Sequence, residues 1–261
     1  LTARAASSER TVPLEALAEQ IAVLCQKDMT DGCLFPGAGR QWLDAITLND
    51  IERAISVQGV EHHQFALLAE DAGLRTINAY QYVERFNRLA SPVLLLEELI
   101  KHKRSLLFRH FHRRSPAAAA IFTSLVSDGL LVDDVVAILS PPNSTATTPH
   151  ADGHAILQLQ LSGEKVWRYW GVVEDEHVEG ANTVEELKQV FDEKAAGLPV
   201  TQLVLRPGDM LFLPKRMLHH ATNGDAFSLS LSFQFASRWA NSRASKSPYG
   251  PSDVFGGAIS R

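Results

Sequence analysis

A chain of 261 residues with 45 % hydrophobic content is long enough to bury one large domain, or a domain with a helical annex. Its net charge of -5 and isoelectric point near 6.1 argue against a generic nucleic-acid binder, which carries a basic excess, and no apolar run approaches the length of a membrane span. Cys25 and Cys33 are the only cysteines and form no Cys-x-x-Cys pair, which supports neither a disulfide framework nor a zinc site and predicts a reducing compartment.

The start, Leu1-Thr2-Ala3-Arg4, lacks the apolar core of a signal peptide, and a cytoplasmic location is expected. Residues 1–130 read as a mainly helical region packed on a C-terminal barrel, with a strand near 105–110. Leu14 to Ile21 has apolar residues at helical spacing, and Thr47-Leu48-Asn49-Asp50 is a helix start before Ile51 and Ile55. Pro36-Gly37-Ala38-Gly39 reads as a surface turn. Ser91-Pro92 and Ser115-Pro116 each open a helix, because proline suits the first helical position. Between them Ser105-Leu106-Leu107-Phe108 predicts a short strand. Basic residues gather from Lys101 to Arg114, as solvated surface or as a docking site for an acidic peptide.

From residue 131 the pattern changes to short strands separated by Pro, Gly and Asn, the signature of an antiparallel barrel or jelly roll. Residues 131–240 form that unit, and 241–261 are a polar C-terminal tail. In an extended strand His150 and Asp152 project to one face, since side chains alternate. A third ligand has to come from a strand that returns beside the first. The run Val200 to Phe235 supplies the return: an alternating stretch to Leu205, a turn at Arg206-Pro207-Gly208-Asp209, a strand Met210 to Leu213, and then His219. Two imidazoles and one carboxylate are the set that holds non-haem Fe(II) on one face and leaves the opposite positions open. His220 is the substitute should His219 be misassigned, and His154 reads as a structural histidine or a substrate contact. Ser228, Ser230 and Ser232 share one face by their period of two. Thr183 to Leu187 looks like a capped helix inserted between the two halves.

The stretch Ala137 to Trp170, with Pro141-Pro142-Asn143-Ser144, Pro149-His150-Ala151-Asp152, Leu157-Gln158 and Gly163-Glu164-Lys165-Val166-Trp167-Arg168, resembles the JmjC-type, cupin-fold 2-oxoglutarate oxygenases, most closely their ribosomal-oxygenase branch. Pro207-Gly208-Asp209, Leu211-Phe212-Leu213-Pro214 and His219 resemble the second half of the pattern, and the match spans about residues 93 to 235. The resemblance implies a double-stranded β-helix, mainly β with a helical N-terminal region. It also implies an Fe(II)- and 2-oxoglutarate-dependent dioxygenase, a hydroxylase acting on a C–H bond of a protein or peptide side chain, with dioxygen consumed and succinate and carbon dioxide formed. It makes His150, Asp152 and His219 the catalytic iron ligands. Lys165 becomes the cation for the distal carboxylate of 2-oxoglutarate, with Thr147, Ser230 and Ser232 as further cosubstrate contacts.

The chain departs from the pattern in places. Val136 and Ile138 stand where the nearest relatives carry Asn and Tyr, Arg216 where Gly is usual, and His220 where Gln is common. Relatives continue into a dimerisation region and a winged-helix domain, whereas 26 residues follow Phe235 here; this loosens any inference to a ribosomal-protein substrate, and a homodimer is expected only by analogy. Two rival readings stay open: a small-molecule 2-oxoglutarate hydroxylase of secondary metabolism, and a non-catalytic cupin binding module. Neither a membrane nor a nucleic acid is expected as partner.

Overall fold

The computed structural model describes residues 14–26, 30–56, 65–68, 92–145, 149–173, 192 and 195–236. In chain order these form α1 (Leu14–Gln26), β1 (Cys33–Phe35), α2 (Leu48–Ser56), β2 (Phe65–Leu68), α3 (Pro92–Ile100), β3 (Ser105–Phe108), α4 (Pro116–Ser127), β4 (Val132–Ser140), β5 (His150–Ala151), β6 (Ala155–Ser162), β7 (Lys165–Val172), β8 (Thr201–Leu205), β9 (Met210–Leu213), β10 (Met217–Asn223) and β11 (Ser228–Phe235). The helix predicted at Thr183 to Leu187 and the tail 241–261 lie outside the described residues.

The helices begin where local chemistry favours it. Thr47 donates from its backbone N–H and its Oγ1 to Asp50 Oδ2, at 2.8 and 2.9 Å, so the Asp50 carboxylate closes the first turn of α2. Ser115 Oγ accepts from the Ala118 N–H at 3.2 Å, and Pro116 takes the position whose own N–H would have no partner. Each helix then buries one stripe: Leu17, Ala18 and Ile21 in α1, Ile51, Ala54 and Ile55 in α2, Ala118, Ile121 and Leu125 in α4. The predicted basic run is partly neutralised within the chain, since Lys101 pairs with Glu97 at 2.6 Å and Arg104 pairs with Glu98.

Two antiparallel sheets make the jelly roll. One has seven strands in the order β1-β9-β6-β11-β4-β3-β2, the other four in the order β5-β10-β7-β8. Strand parity assigns the two faces of the larger sheet. Val135, Ala137, Leu139, Leu157, Leu159, Leu161, Leu229, Leu231 and Phe233 belong to the large core that includes the buried stripes of α1 to α4. The alternate residues Ile156, Leu211 and Leu213 belong to a second cluster with Trp167, Tyr169, Leu205, Met217 and Ala221 of the smaller sheet. The larger sheet is therefore covered on both sides, which is why its strands are apolar along nearly their whole length.

Polar residues interrupt that pattern only on the inner face. Gln158, Gln160, Ser230 and Ser232 are all buried, and they are the inward-parity residues of two adjacent strands. The sequence signals for β1 and β2 are weak. β1 is three residues long and exists because it pairs with β9, Leu34 opposite Leu211, a tertiary contact that no local propensity announces.

Two turns fix the geometry around the cavity. At the β6–β7 hairpin Gly163 has φ +65°, and a Cβ there would lie 2.3 Å from the Phe227 carbonyl oxygen and 2.9 Å from Ser228 Cα. Gly163→Ala is expected to destabilise the fold by about 2–4 kcal/mol, combining left-handed strain with a backbone clash, and to loosen β11 at Ser228. A chemical denaturation midpoint within error of wild type would contradict this. At the other turn, Asp209 Oδ2 accepts from the Arg206 N–H at 3.0 Å and Oδ1 accepts from the Gly37 N–H at 2.9 Å. The Pro-Gly-Asp motif thus closes its own turn and ties down the Pro36 to Gly39 turn.

Candidate metal centre and its cavity

β5 and β10 pair so that His219 lies opposite His150. The two imidazole rings are 4.3 Å apart between centroids. Asp152 follows directly after β5; its Oδ1 is 3.6 Å from His150 Nε2 and its Oδ2 is 3.7 Å from His219 Nε2. One ligand atom from each of the three residues lies within 4.8 Å of the others, a group able to hold one metal ion.

The local conformation differs from the extended strand expected through His150 and Asp152. β5 ends at Ala151, and the next strand opens at Ala155. Asp152 reaches the same space from a turn instead, with its carbonyl oxygen accepting from the Arg216 N–H at 2.6 Å. His154 therefore does not continue a strand face with Asp152, although its imidazole is near enough to act on that carboxylate.

His219 is set up as a ligand by its surroundings. Its Nδ1 is 2.7 Å from the Met217 carbonyl oxygen and so carries the proton as donor, leaving the Nε2 lone pair facing Asp152. The ring stacks on Trp167, centroids 5.7 Å apart at 25°. The β10–β7 register shifts between Met217 and His219, an irregularity of the kind that re-aims side chains beside functional sites. Burial, with the nearby His150, pushes the His219 imidazole down to about 4, so it is neutral at pH 7. Burial alone would raise the Asp152 carboxyl, but the imidazoles of His150, His219 and His154 together hold it below its ordinary value. Imidazole nitrogens and an anionic oxygen suit a divalent cation. His220, the substitute ligand, is not in this group; it pairs across to Arg168 on β7.

A cavity of about 100 Å³ extends from these residues between the sheets. His150, Asp152 and His219 line it, as do Gln158, Lys165, Ser232 and Gln234, with Leu107, Val136, Ile138, Ile156, Trp167 and Ala221 as its apolar wall. Lys165 is 1 % exposed, although it directly follows the Gly163-Glu164 turn. Its Nζ donates to Ser230 Oγ at 3.3 Å, and among the described residues it has no carboxylate partner. Burial pushes this ammonium down to about 7. Ser232 Oγ accepts from Gln158 Nε2 at 2.8 Å. Ser228 and Ser230 are buried on the same strand but do not line the cavity, and Ser230 bears on it through its bond to Lys165. Thr147 lies outside the described residues. Sequence alone gives Gln158 no role beyond its place in a Leu-Gln strand; the usable signal is two glutamines of one parity in an otherwise apolar strand.

Comparison with known proteins agrees with this architecture. Residues 112–242 match the JmjC domain model. Ribosomal oxygenase 1 of Rattus norvegicus is 36 % identical over 110 residues, covering 40 % of this chain and 17 % of that protein. The bifunctional lysine-specific demethylase and histidyl-hydroxylase NO66 of Aedes aegypti is 33 % identical over 88 residues, covering 32 % of this chain and 13 % of that protein. The chain thus spans under a fifth of the length of these relatives. Among solved structures, Escherichia coli ycfD superposes with a TM-score of 0.55 at 15 % identity, over 84 % of this chain and 52 % of that one. The ribosomal oxygenase YcfD in complex with cobalt and 2-oxoglutarate gives a TM-score of 0.51 at 16 % identity, over 79 % and 48 %. At such identity the likeness concerns the fold. Two sheets in jelly-roll order, with a His-Asp-His group at one end and a matching domain model across half the sequence, mean that the chain belongs to the JmjC domain family.

Proposed function

We propose that this protein is an Fe(II)- and 2-oxoglutarate-dependent oxygenase that hydroxylates a side chain of a protein or peptide. The observation that carries the reading is Lys165: a fully buried ammonium with no acidic partner among the described residues, opening on the same cavity as His150, Asp152 and His219. An isolated buried cation is costly, and an anionic ligand offsets that cost. A 2-oxo diacid has one end that chelates a metal and another that pairs with an ammonium, which matches the two ends of the cavity.

In this reading His150, Asp152 and His219 hold the iron, Lys165 and Ser232 hold the distal carboxylate with Ser230 positioning the ammonium, and dioxygen is the second cosubstrate. When bound, iron and 2-oxoglutarate together supply the oxidising power to hydroxylate an unactivated C–H bond, with succinate and carbon dioxide as by-products. The protein's own share is positional. The Met217 carbonyl fixes the His219 tautomer, Trp167 backs its ring, and the apolar wall of Leu107, Val136, Ile138 and Ile156 limits water. A protein substrate is supported by the relatives' names, ribosomal oxygenase and histidyl-hydroxylase, which make a histidine side chain on a ribosomal peptide the first class to try.

The test is incubation of the full chain with Fe(II), 2-oxoglutarate and pools of such peptides in air, followed by mass spectrometry and succinate assay. A peptide gaining one oxygen, in step with succinate, is the expected result. Turnover on small metabolites with no peptide modified would redirect the substrate class, and no succinate under any condition would sink the enzymatic reading.

A further inference from the structure

The cavity wall is built in cross-strand rows, because β11 pairs with β4 on one side and β6 on the other. Ser232 is opposite Val136 and opposite Gln158; Ser230 is opposite Ile138 and opposite Gln160. Val136, Ser232 and Gln158 all line the cavity. On the β4 side of this row the wall is apolar, and the only amide in the row comes from β6. Gln158 is 3 % exposed, and its one side-chain partner among the described residues is Ser232 Oγ, to which Nε2 donates at 2.8 Å. Among the described residues its Oε1 is buried without a donor, and Trp167 Nε1, on the same cavity, is buried without an acceptor.

A buried acceptor left without a donor costs about 1–3 kcal/mol, so the arrangement is incomplete as it stands. Which end of the amide is oxygen is not fixed by shape, since the two ends are nearly isosteric. Turning the amide by 180° lets the Ser232 hydroxyl donate to Oε1, which satisfies the orphaned oxygen. The same turn points the Nε2 protons into the cavity. Lys165 lines the same cavity and is anchored to Ser230, two residues from Ser232 on the same face of β11. An amide donor on one row and an ammonium from β7 held by the serine of the next row make a two-point clamp for one carboxylate.

Building on the proposed function, we infer that Gln158 is a cosubstrate-binding residue: its amide, turned and held by Ser232, donates to the distal carboxylate of the 2-oxo diacid beside Lys165, from the strand opposite the apolar Val136 and Ile138. The role makes Gln158 specific for the far end of the cosubstrate and indifferent to the metal-chelating end.

The experiment compares two acids on the full chain loaded anaerobically with Fe(II), reading the metal-to-ligand charge-transfer absorption of the bound 2-oxo acid. 2-Oxoglutarate carries the distal carboxylate, and pyruvate lacks it. Gln158→Met keeps the length and removes the donor; Gln158→Glu keeps the shape and replaces the donor with an acceptor, so one variant remains informative if the other folds poorly. The expected result is a dissociation constant for 2-oxoglutarate raised on the order of tenfold in Gln158→Met and further in Gln158→Glu, with pyruvate unchanged. Wild-type binding of 2-oxoglutarate that neither variant weakens would overturn the role of Gln158 and leave the proposed function standing. Equal weakening of both acids would also overturn it, by placing the effect at the metal end. No band in wild type with either acid would remove the proposed function itself, and the inference with it.

Discussion

Lys165→Met is expected to make the protein more stable and, at the same time, unable to bind 2-oxoglutarate. A buried ammonium without a counter-charge opposes folding, and a thioether of similar length fills its place without that cost. The gain should be about 1–3 kcal/mol below neutral pH, or several degrees in melting temperature. Its pH dependence follows from the sign of the shift. The ammonium titrates at about 7 in the folded chain against an ordinary value of 10.5, so between these limits the unfolded chain binds more protons. Wild-type stability from this group is lost as pH falls from 10.5 to about 7. The advantage of the variant should therefore be full below about 7, shrink steadily above it and vanish past 10.5. Meanwhile the affinity for 2-oxoglutarate should fall on the order of a hundredfold or more, because the carboxylate loses its ion pair in a buried site. Thermal melts across pH, with and without 2-oxoglutarate, measure both effects. A variant that melts below wild type at pH 6 would mean that the ammonium is already compensated within the fold.

His150→Ala should abolish metal binding while leaving the fold intact. The residue sits on the two-residue strand β5 at the edge of the smaller sheet, and it is only partly buried. Removing one of three ligands leaves a single imidazole and a carboxylate, so Fe(II) affinity should drop by more than a hundredfold and turnover should reach background. His154→Ala and His220→Ala are the comparison variants, and both should retain the metal, since neither belongs to the three-residue group. Calorimetric titration with Mn(II) or Fe(II) under nitrogen separates the cases. Equal loss in His220→Ala and His150→Ala would show that the ligand set has been misassigned.

The parts of this site that sequence reveals are those where chemistry and strand parity act together. His150, Asp152 and His219 are the right donor types, and the turns at Gly163 and at Pro207-Gly208 show that the chain must fold back between them. Lys165 follows from its distance to the first ligand once the family pattern is in view. What sequence conceals depends on pairing across the sheets. The end of β5 at Ala151 is set by the turn that brings Asp152 to Arg216, and the one local mark of the break is the turn-forming pair Asp152-Gly153, which the alternation of His150 and Asp152 masks. Strand β1 exists only through β9. Gln158 has meaning only once Ser232 is known to lie beside it. Arg216 shows the converse. The family usually has glycine there, and the arginine indeed adopts φ +62°, the left-handed conformation that glycine enters without strain.

The smaller sheet also acts as a ruler. On β10, His219 is registered opposite His150, and Asn223, four residues later, is registered opposite Lys165. At about 3.4 Å per residue, the His-Asp-His group and the Lys165 ammonium are set apart by counting along a single strand. One residue added or removed between Met217 and Asn223 would change that count and turn every later side chain to the opposite face. Substitution can therefore retune this site gradually, whereas a change of length within β10 would uncouple its two ends in a single step.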